Sequence, residues 1–386
     1  MNWYRKLSDI GAWPIFGVFF IESFVLGNWI PRIPDIKASF GLSATELGFN
    51  LLALSFGTLF AFVTVGSLIR KVGLRRVNML ALPFWALFVG LAPWMPNGLV
   101  LAIVLVVAGV FIGMQEVAMN TAAENVARDT GVQIMSRAHG FWSLGSLFGA
   151  LCGSGFAYFD VSVAAHFAVI MPLTAVWGLL TAAKVQDAPK GLEENEHEGQ
   201  SSVFSLPSAA MLGLFLMPIG VMLVEGAFID WSAVFVQSVL NGGAVATGLI
   251  YSAFSLVMAA TRLSGDAIIA RFGPKRVAQV SALSATFGIG LFAMSPGPSA
   301  AFGAAILAGL GVAIVYPLIV TAAARRPGND EDNVAAVSLA AFGAFMIAPP
   351  IIGFLADTIG LRYALLMIAP IAFTSFLLSG ELEKTD

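Results

Sequence analysis

Val72-Gly73-Leu74-Arg75-Arg76-Val77 returns two hundred residues later as Phe272-Gly273-Pro274-Lys275-Arg276-Val277. Two further segments keep that offset: Ala108-Gly109 matches Ala308-Gly309, and Thr121-Ala122-Ala123 matches Thr321-Ala322-Ala323. Separated matches in one register mark an internal duplication. With a drift of three residues, Ile21-Glu22-Ser23 answers Val224-Glu225-Gly226. Each copy therefore carries a carboxylate at the corresponding place in its first apolar stretch.

The composition says what surrounds these copies. Of 386 residues, 58% are hydrophobic and 11% charged, against about 25% charged in a soluble domain. Too few charges remain to cover a water-soluble globule of this size, so the exterior is expected to face lipid. A net charge of −3 excludes a broad basic face for nucleic acid. One cysteine, Cys152, excludes a disulfide framework, and the scattered His139, His166 and His197 show neither metal-ligand nor triad spacing. No metal, no cofactor and no enzyme chemistry are expected.

A hydrocarbon core about 30 Å thick takes roughly 20 apolar residues per helix. Twelve such runs can be marked off, from residues 12–30 to residues 363–378, with the fifth at 140–159. The opening segment, with Arg5 and Lys6 but no small-residue cleavage site, reads as a retained first helix. With the N-terminus inside, seventeen of the twenty Lys and Arg fall on the inner side and only Arg32, Lys37 and Arg362 on the outer. That asymmetry follows the positive-inside rule and puts both termini in the cytoplasm. Between the sixth and seventh runs lies an acidic stretch containing Asp187, Glu193, Glu194, Glu196 and Glu198. It reads as a solvated linker, with a partner-binding tail as the alternative. The expected organisation is an N-terminal six-helix bundle at 1–184, a cytoplasmic linker at 185–207 and a C-terminal six-helix bundle at 208–386. Parallel repeats of this kind hold their solute near the midplane.

The loop Gly66-Ser67-Leu68-Ile69-Arg70-Lys71-Val72-Gly73-Leu74-Arg75-Arg76 resembles the signature loop of the major facilitator superfamily, whose pattern is close to GxLADRxGRR. A better copy of its first part stands at Gly353-Phe354-Leu355-Ala356-Asp357-Thr358-Ile359-Gly360-Leu361-Arg362. The resemblance implies an all-α fold of twelve transmembrane helices in two pseudo-symmetric bundles. It also implies that charges at these loops latch one conformation, which makes Arg70, Arg75, Arg76, Arg262, Asp266, Asp357 and Arg362 latch candidates. The sequence departs from the pattern at Arg70, where the family has an acid. In the second copy Asp266 is one turn from Arg262 and able to pair with it. The runs Glu225-Gly226-Ala227-Phe228-Ile229-Asp230-Trp231-Ser232, Gly113-Met114-Gln115-Glu116-Val117-Ala118-Met119-Asn120 and Arg262-Leu263-Ser264-Gly265-Asp266 resemble a bacterial inner-membrane branch related to fucose permeases and rhizopine-transporter-like proteins. That branch implies small polyhydroxylated solutes.

A charge at the bilayer centre costs about 2.5–3.5 kcal/mol even on lenient scales, so acids deep in a span need partners, water or a function. Glu22, Glu225 and Glu116 are such acids. Withdrawal from water favours the neutral carboxyl, the property a proton carrier needs; a structural carboxyl bonded to another helix is the plainer alternative. Asn120 stands four residues after Glu116, on the same helix face and with Gln115 flanking it, a cluster able to bind hydroxyls or to glue helices together. Asn28 and Trp29 follow Glu22 as Asp230 and Trp231 follow Glu225, so a polar group and an indole recur in both copies. They are candidates for binding the solute, although for a tryptophan there a headgroup anchor is the favoured reading over stacking on a sugar ring. Gly140, Gly145, Gly149, Gly153 and Gly155 form a small-residue stripe for close helix crossing, while Pro218, Pro317, Pro349 and Pro350 mark expected helix interruptions.

The expected function is a monomeric secondary carrier in the bacterial inner membrane, moving a small sugar- or inositol-like solute by alternating access with a proton. Proton-driven export of drugs or metabolites and a non-transporting receptor on the same fold are the alternatives.

Overall fold

The computed structural model describes residues 7, 11–132, 134–187, 211–327 and 330–383. Most of the acidic linker, with His197, lies outside them, as do both ends of the chain. The described residues are helical nearly throughout. In chain order the helices are α1 (Ala12–Trp29), α2 (Ile33–Ser39), α3 (Ala44–Val72), α4 (Leu74–Leu91), α5 (Gly98–Thr130), α6 (Met135–Tyr158), α7 (Val163–Ala182), α8 (Leu212–Asp230), α9 (Ser232–Ser238), α10 (Ala244–Phe272), α11 (Pro274–Ala293), α12 (Pro298–Val312), α13 (Val315–Ala323), α14 (Asp330–Ile359), α15 (Leu361–Leu366) and α16 (Ile368–Leu377). Short 3₁₀ turns follow α1, α4 and α16, the last being Leu378–Glu383.

Among the described residues, eleven stretches are long and apolar enough to cross a bilayer. The expected fifth span is a helix too, but α6 falls short of the others in apolarity because Gly and Ser occupy its buried face. Its inner surface needs small groups rather than oily ones. Gly145 lies against the Phe20 carbonyl and Gly149 against the Phe24 carbonyl, while Gly27 of α1 meets the Ser146 carbonyl, so a Cβ at any of the three would collide with backbone. Ser23 closes the seam by donating to the Trp142 carbonyl, and Phe16 stacks on Phe141 with ring centres 4.9 Å apart. Close backbone approach of this kind is how helices associate where lipid offers no hydrophobic drive.

The chain falls into two compact units, residues 1–42 with 49–198 and residues 43–48 with 199–386. The first turn of α3 and the residue before it, Ser43–Gly48, group with the second unit. Within each unit the duplication is visible at the level of contacts. Gly109 of α5 packs on the Leu54 carbonyl of α3, and Gly309 of α12 packs on the Phe254 carbonyl of α10. Both members of the pair stand two hundred residues apart.

Large apolar side chains cover the outside of the units, including Phe60, Leu99, Leu173, Val280 and Phe354. Hydrocarbon is the natural neighbour of such a surface. The proline expectations are corrected in part. Pro218 sits inside an unbroken α8 and Pro349 and Pro350 inside an unbroken α14; only Pro317 lies beside a break, between α12 and α13.

Candidate functional site

In the first unit the deepest charged group is Glu22, 1% exposed in the middle of α1. Its carboxylate accepts a hydrogen bond of 2.6 Å from the indole nitrogen of Trp142 on α6. Its backbone carbonyl accepts a second, of 3.2 Å, from the indole of Trp85 on α4. Glu116 of α5 is within electrostatic reach of Glu22. Asn120 donates to the Glu116 carboxylate at 3.1 Å and to its carbonyl at 2.8 Å, as their spacing implied. Two acids and one amide, Glu22 on α1 with Glu116 and Asn120 on α5, thus form one polar cluster in which Glu22 is bonded to an indole from α6. Nothing in the residue spacing pointed to Trp142; the available signal was a large ring with a polar edge inside a stripe of glycines.

The other candidates of this unit lie elsewhere. Gln115 turns away from Asn120, fully buried, and donates to Asn78 of α4 at 2.9 Å, because adjacent positions on a helix face different neighbours. Asn28, also fully buried, donates to the Phe24 carbonyl at 2.8 Å, and its oxygen lies 3.0 Å from Nε2 of His166 on α7. That ring is stacked on Phe156 with centres 4.4 Å apart. Trp29 is buried beside Phe167. The expectation of a headgroup anchor is corrected for both tryptophans, since Trp231 is buried inside its own unit as well.

In the second unit Glu225 of α8 is held by Arg262 of α10, with Nη2 3.2 Å from Oε1. The side chains are 9% and 19% exposed respectively, and Nε of Arg262 donates to the Ala313 carbonyl at 3.3 Å. The expected partner of Arg262, Asp266, lies on the exposed part of α10. A buried carboxylate on a neighbouring helix attracts the guanidinium more strongly than a solvated one a turn away. Asp230 ends α8, and among the described residues its carboxylate has no hydrogen-bond or ion-pair partner. The buried indole N–H of Trp231 beside it is likewise unmatched. A half-buried acceptor and a buried donor therefore stand together at the break between α8 and α9.

The latch candidates divide among three places. Arg70, Arg75 and Arg76 are exposed around the turn from α3 to α4. The acid absent at Arg70 is supplied from the far end of the unit: Asp187 accepts the Arg75 backbone N–H at 2.7 Å and packs on Gly73, whose φ of +90° suits glycine. At the equivalent turn of the second unit Lys275 pairs with Glu383 at 3.1 Å. Asp357 caps α3, accepting from the N–H groups of Ala44 and Thr45 at 3.0 and 2.8 Å. Arg362 lies over the Phe235 ring and donates to the carbonyls of Ala293 and Ser295 at 2.6 and 3.0 Å. Among the described residues no group of three or more His, Cys, Asp or Glu is arranged to hold a metal.

Known proteins of the same kind agree with this architecture. The family profile of the Major Facilitator Superfamily matches residues 15–336. An uncharacterized transporter of Sinorhizobium fredii, y4wD, is 31% identical over 95% of this chain and 96% of its own. The membrane protein MosC of Rhizobium meliloti is 27% identical over 91% of this chain and 84% of its own. Among solved structures, the nucleoside transporter NupG superposes with a TM-score of 0.76 at 12% identity, covering 96% of this chain and 98% of that one. The E. coli fucose:proton symporter FucP superposes with a TM-score of 0.67 at 17% identity over 96% of this chain and 98% of that one. At those identities the structures speak for the fold alone. The chain belongs to the Major Facilitator Superfamily and is a multi-pass membrane transporter, not an enzyme.

Proposed function

We propose that the chain is a proton-coupled carrier of a small polar solute, sugar- or inositol-like, working as a monomer in the bacterial inner membrane with both termini in the cytoplasm. The observation that carries this reading is the pair of sheltered carboxylates on the first long helix of each unit. Glu22 is engaged by the indole of Trp142 and Glu225 by the guanidinium of Arg262. Each acid has one strong donor, so its charge is stabilised in one arrangement of the helices and left costly in another. That dependence lets a proton and a change of conformation drive one another. Glu116 and Asn120 extend the first site with a further carboxylate and an amide.

Solute recognition is assigned to Asp230 and Trp231, whose polar atoms are unmatched among the described residues, in contrast to Asn28, which is spent on Phe24 and His166. The half-buried carboxylate of Asp230 accepts from hydroxyl groups, and the indole N–H of the next residue is a donor. The cap that Asp357 places on α3 and the Asp187 contact with Arg75 are the latches of this account.

A thermal-shift screen of the purified protein against sugars, inositols, amino sugars and amphipathic drugs tests the solute class, because a ligand that binds only the folded form raises Tm. Stabilisation by a sugar or inositol, lost in Asp230→Ala, is the expected result. Stabilisation by the amphipathic compounds alone would replace this reading with export.

A further inference from the structure

The break between α12 and α13 falls at Ala313 and Ile314, and Pro317 stands four residues after Ala313. In a continuous helix the N–H of residue 317 would donate to the Ala313 carbonyl. Proline has no N–H to give, so its presence removes that bond. An unmatched carbonyl at membrane depth is expensive and has to be satisfied from elsewhere. Arg262 does so from the neighbouring helix: its Nε donates to the Ala313 carbonyl at 3.3 Å. The same guanidinium holds Glu225 through Nη2 at 3.2 Å. The duplicated position in the first unit, two hundred residues earlier, is Val117, and α5 there runs unbroken from Gly98 to Thr130. Phe62 stands where the second unit has Arg262. The proline, the break and the arginine occur together in one copy and are absent together from the other.

We propose that Arg262 is a positioning residue that replaces the hydrogen bond Pro317 cannot make and thereby ties the break between α12 and α13 to the charge on Glu225. The inference rests on Glu225 taking part in transport, and it adds the element through which that residue acts. A charged Glu225 fixes the guanidinium in the one orientation that points Nε at Ala313. When the carboxylate is neutral, that anchor is weakened and the carbonyl loses its donor. The hinge then opens or repacks. Asp266 is on the exposed part of α10, and the Tyr316 hydroxyl of α13 lies 3.1 Å from the Ser338 hydroxyl of α14.

Hydrogen exchange of the full-length protein in nanodiscs, read on the peptide covering residues 314–321, tests this without knowledge of the solute. Glu225→Gln and Arg262→Gln are each expected to speed exchange there about tenfold, since local opening sets the rate. Arg262→Lys keeps the charge but lacks the two-pronged donor, so it should speed exchange as well. In Pro317→Ala the backbone N–H is restored, and Glu225→Gln added to it should leave exchange unchanged. The non-additivity of the two changes is the signature of coupling, which a general loss of stability would not produce. An equal effect of Glu225→Gln with and without Pro317 overturns the inference, as does no effect in either. Proton-driven uptake that survives Glu225→Gln would contradict the role of Glu225 in transport, while the exchange result still decides the hinge.

Discussion

A single indole carries much of the weight at the first acidic site. Trp142 donates to Glu22 at 2.6 Å in a place almost closed to water, and a hydrogen bond to a charged group contributes about 1.5–3 kcal/mol. Trp142→Phe keeps most of the ring and removes the donor. It should lower Tm and should impair function more than its loss of volume alone would; equal melting of Trp142→Phe and wild type would remove the indole from the account. The acids themselves were legible in the sequence because a carboxylate in an apolar helix is conspicuous. Their partners were not. Arg262 and Glu225 lie 37 residues apart, and local helix spacing favoured Asp266, which is on the same helix as Arg262 but exposed. Gln115 shows the converse, since adjacency to Glu116 in the chain placed it on a different face.

At the scale of elements, the glycines of α6 decide how closely α1 can approach. Gly145→Ala should lower Tm because its Cβ would strike the Phe20 carbonyl, whereas Gly155→Ala, with no neighbouring atom within 4 Å, should be neutral or raise stability by about 0.5–1 kcal/mol. Thermal unfolding of the two variants side by side checks the pair; equal effects would mean that the crossing is not close. The turn from α3 to α4 makes a second case. Asp187→Ala removes the acceptor for the Arg75 N–H, and loss of a helix cap typically costs about 1 kcal/mol. Hydrogen exchange at residues 74–77 should rise several-fold in that variant, and unchanged exchange would show that the contact is idle. The glycine stripe and the basic turns could be read from residue types. The role of Asp187 could not, because only the folded chain brings the segment after α7 to the start of α4. The fifth span, readable in the sequence at residues 140–159, is less apolar than the other spans for a physical reason: α6 is buried by small groups, so its sequence has less of the hydrophobic character that marks a lipid-facing span.

For the molecule as a whole, the duplication was the most legible feature, since Gly109 and Gly309 keep both their register and their contacts across the repeat. The boundary between units was less so. Ser43–Gly48 groups with the second unit although most of α3 belongs to the first; there Asp357 caps Ala44 and Thr45, Gly48 packs on Pro349, and Gly353 packs on the Ala44 carbonyl. Asp357→Ala is expected to free those amides and raise their hydrogen exchange several-fold, and no rise would exclude Asp357 as a latch. The departures from symmetry are as informative as the symmetry. Asn28 is consumed by His166 while Asp230 is unmatched among the described residues, and Pro317 breaks one copy of a helix that is continuous in the other. The two units thus share a framework and differ in the polar groups placed within it.

The central claim, that sheltered carboxylates couple proton movement to solute movement, is tested most directly in proteoliposomes carrying the purified protein and an imposed pH gradient. Radiolabelled uptake of the sugar or inositol that stabilises the protein is measured for wild type and Glu22→Gln. The account predicts accumulation above equilibrium in wild type and only equilibration in Glu22→Gln. Accumulation in the variant equal to that in wild type would contradict it.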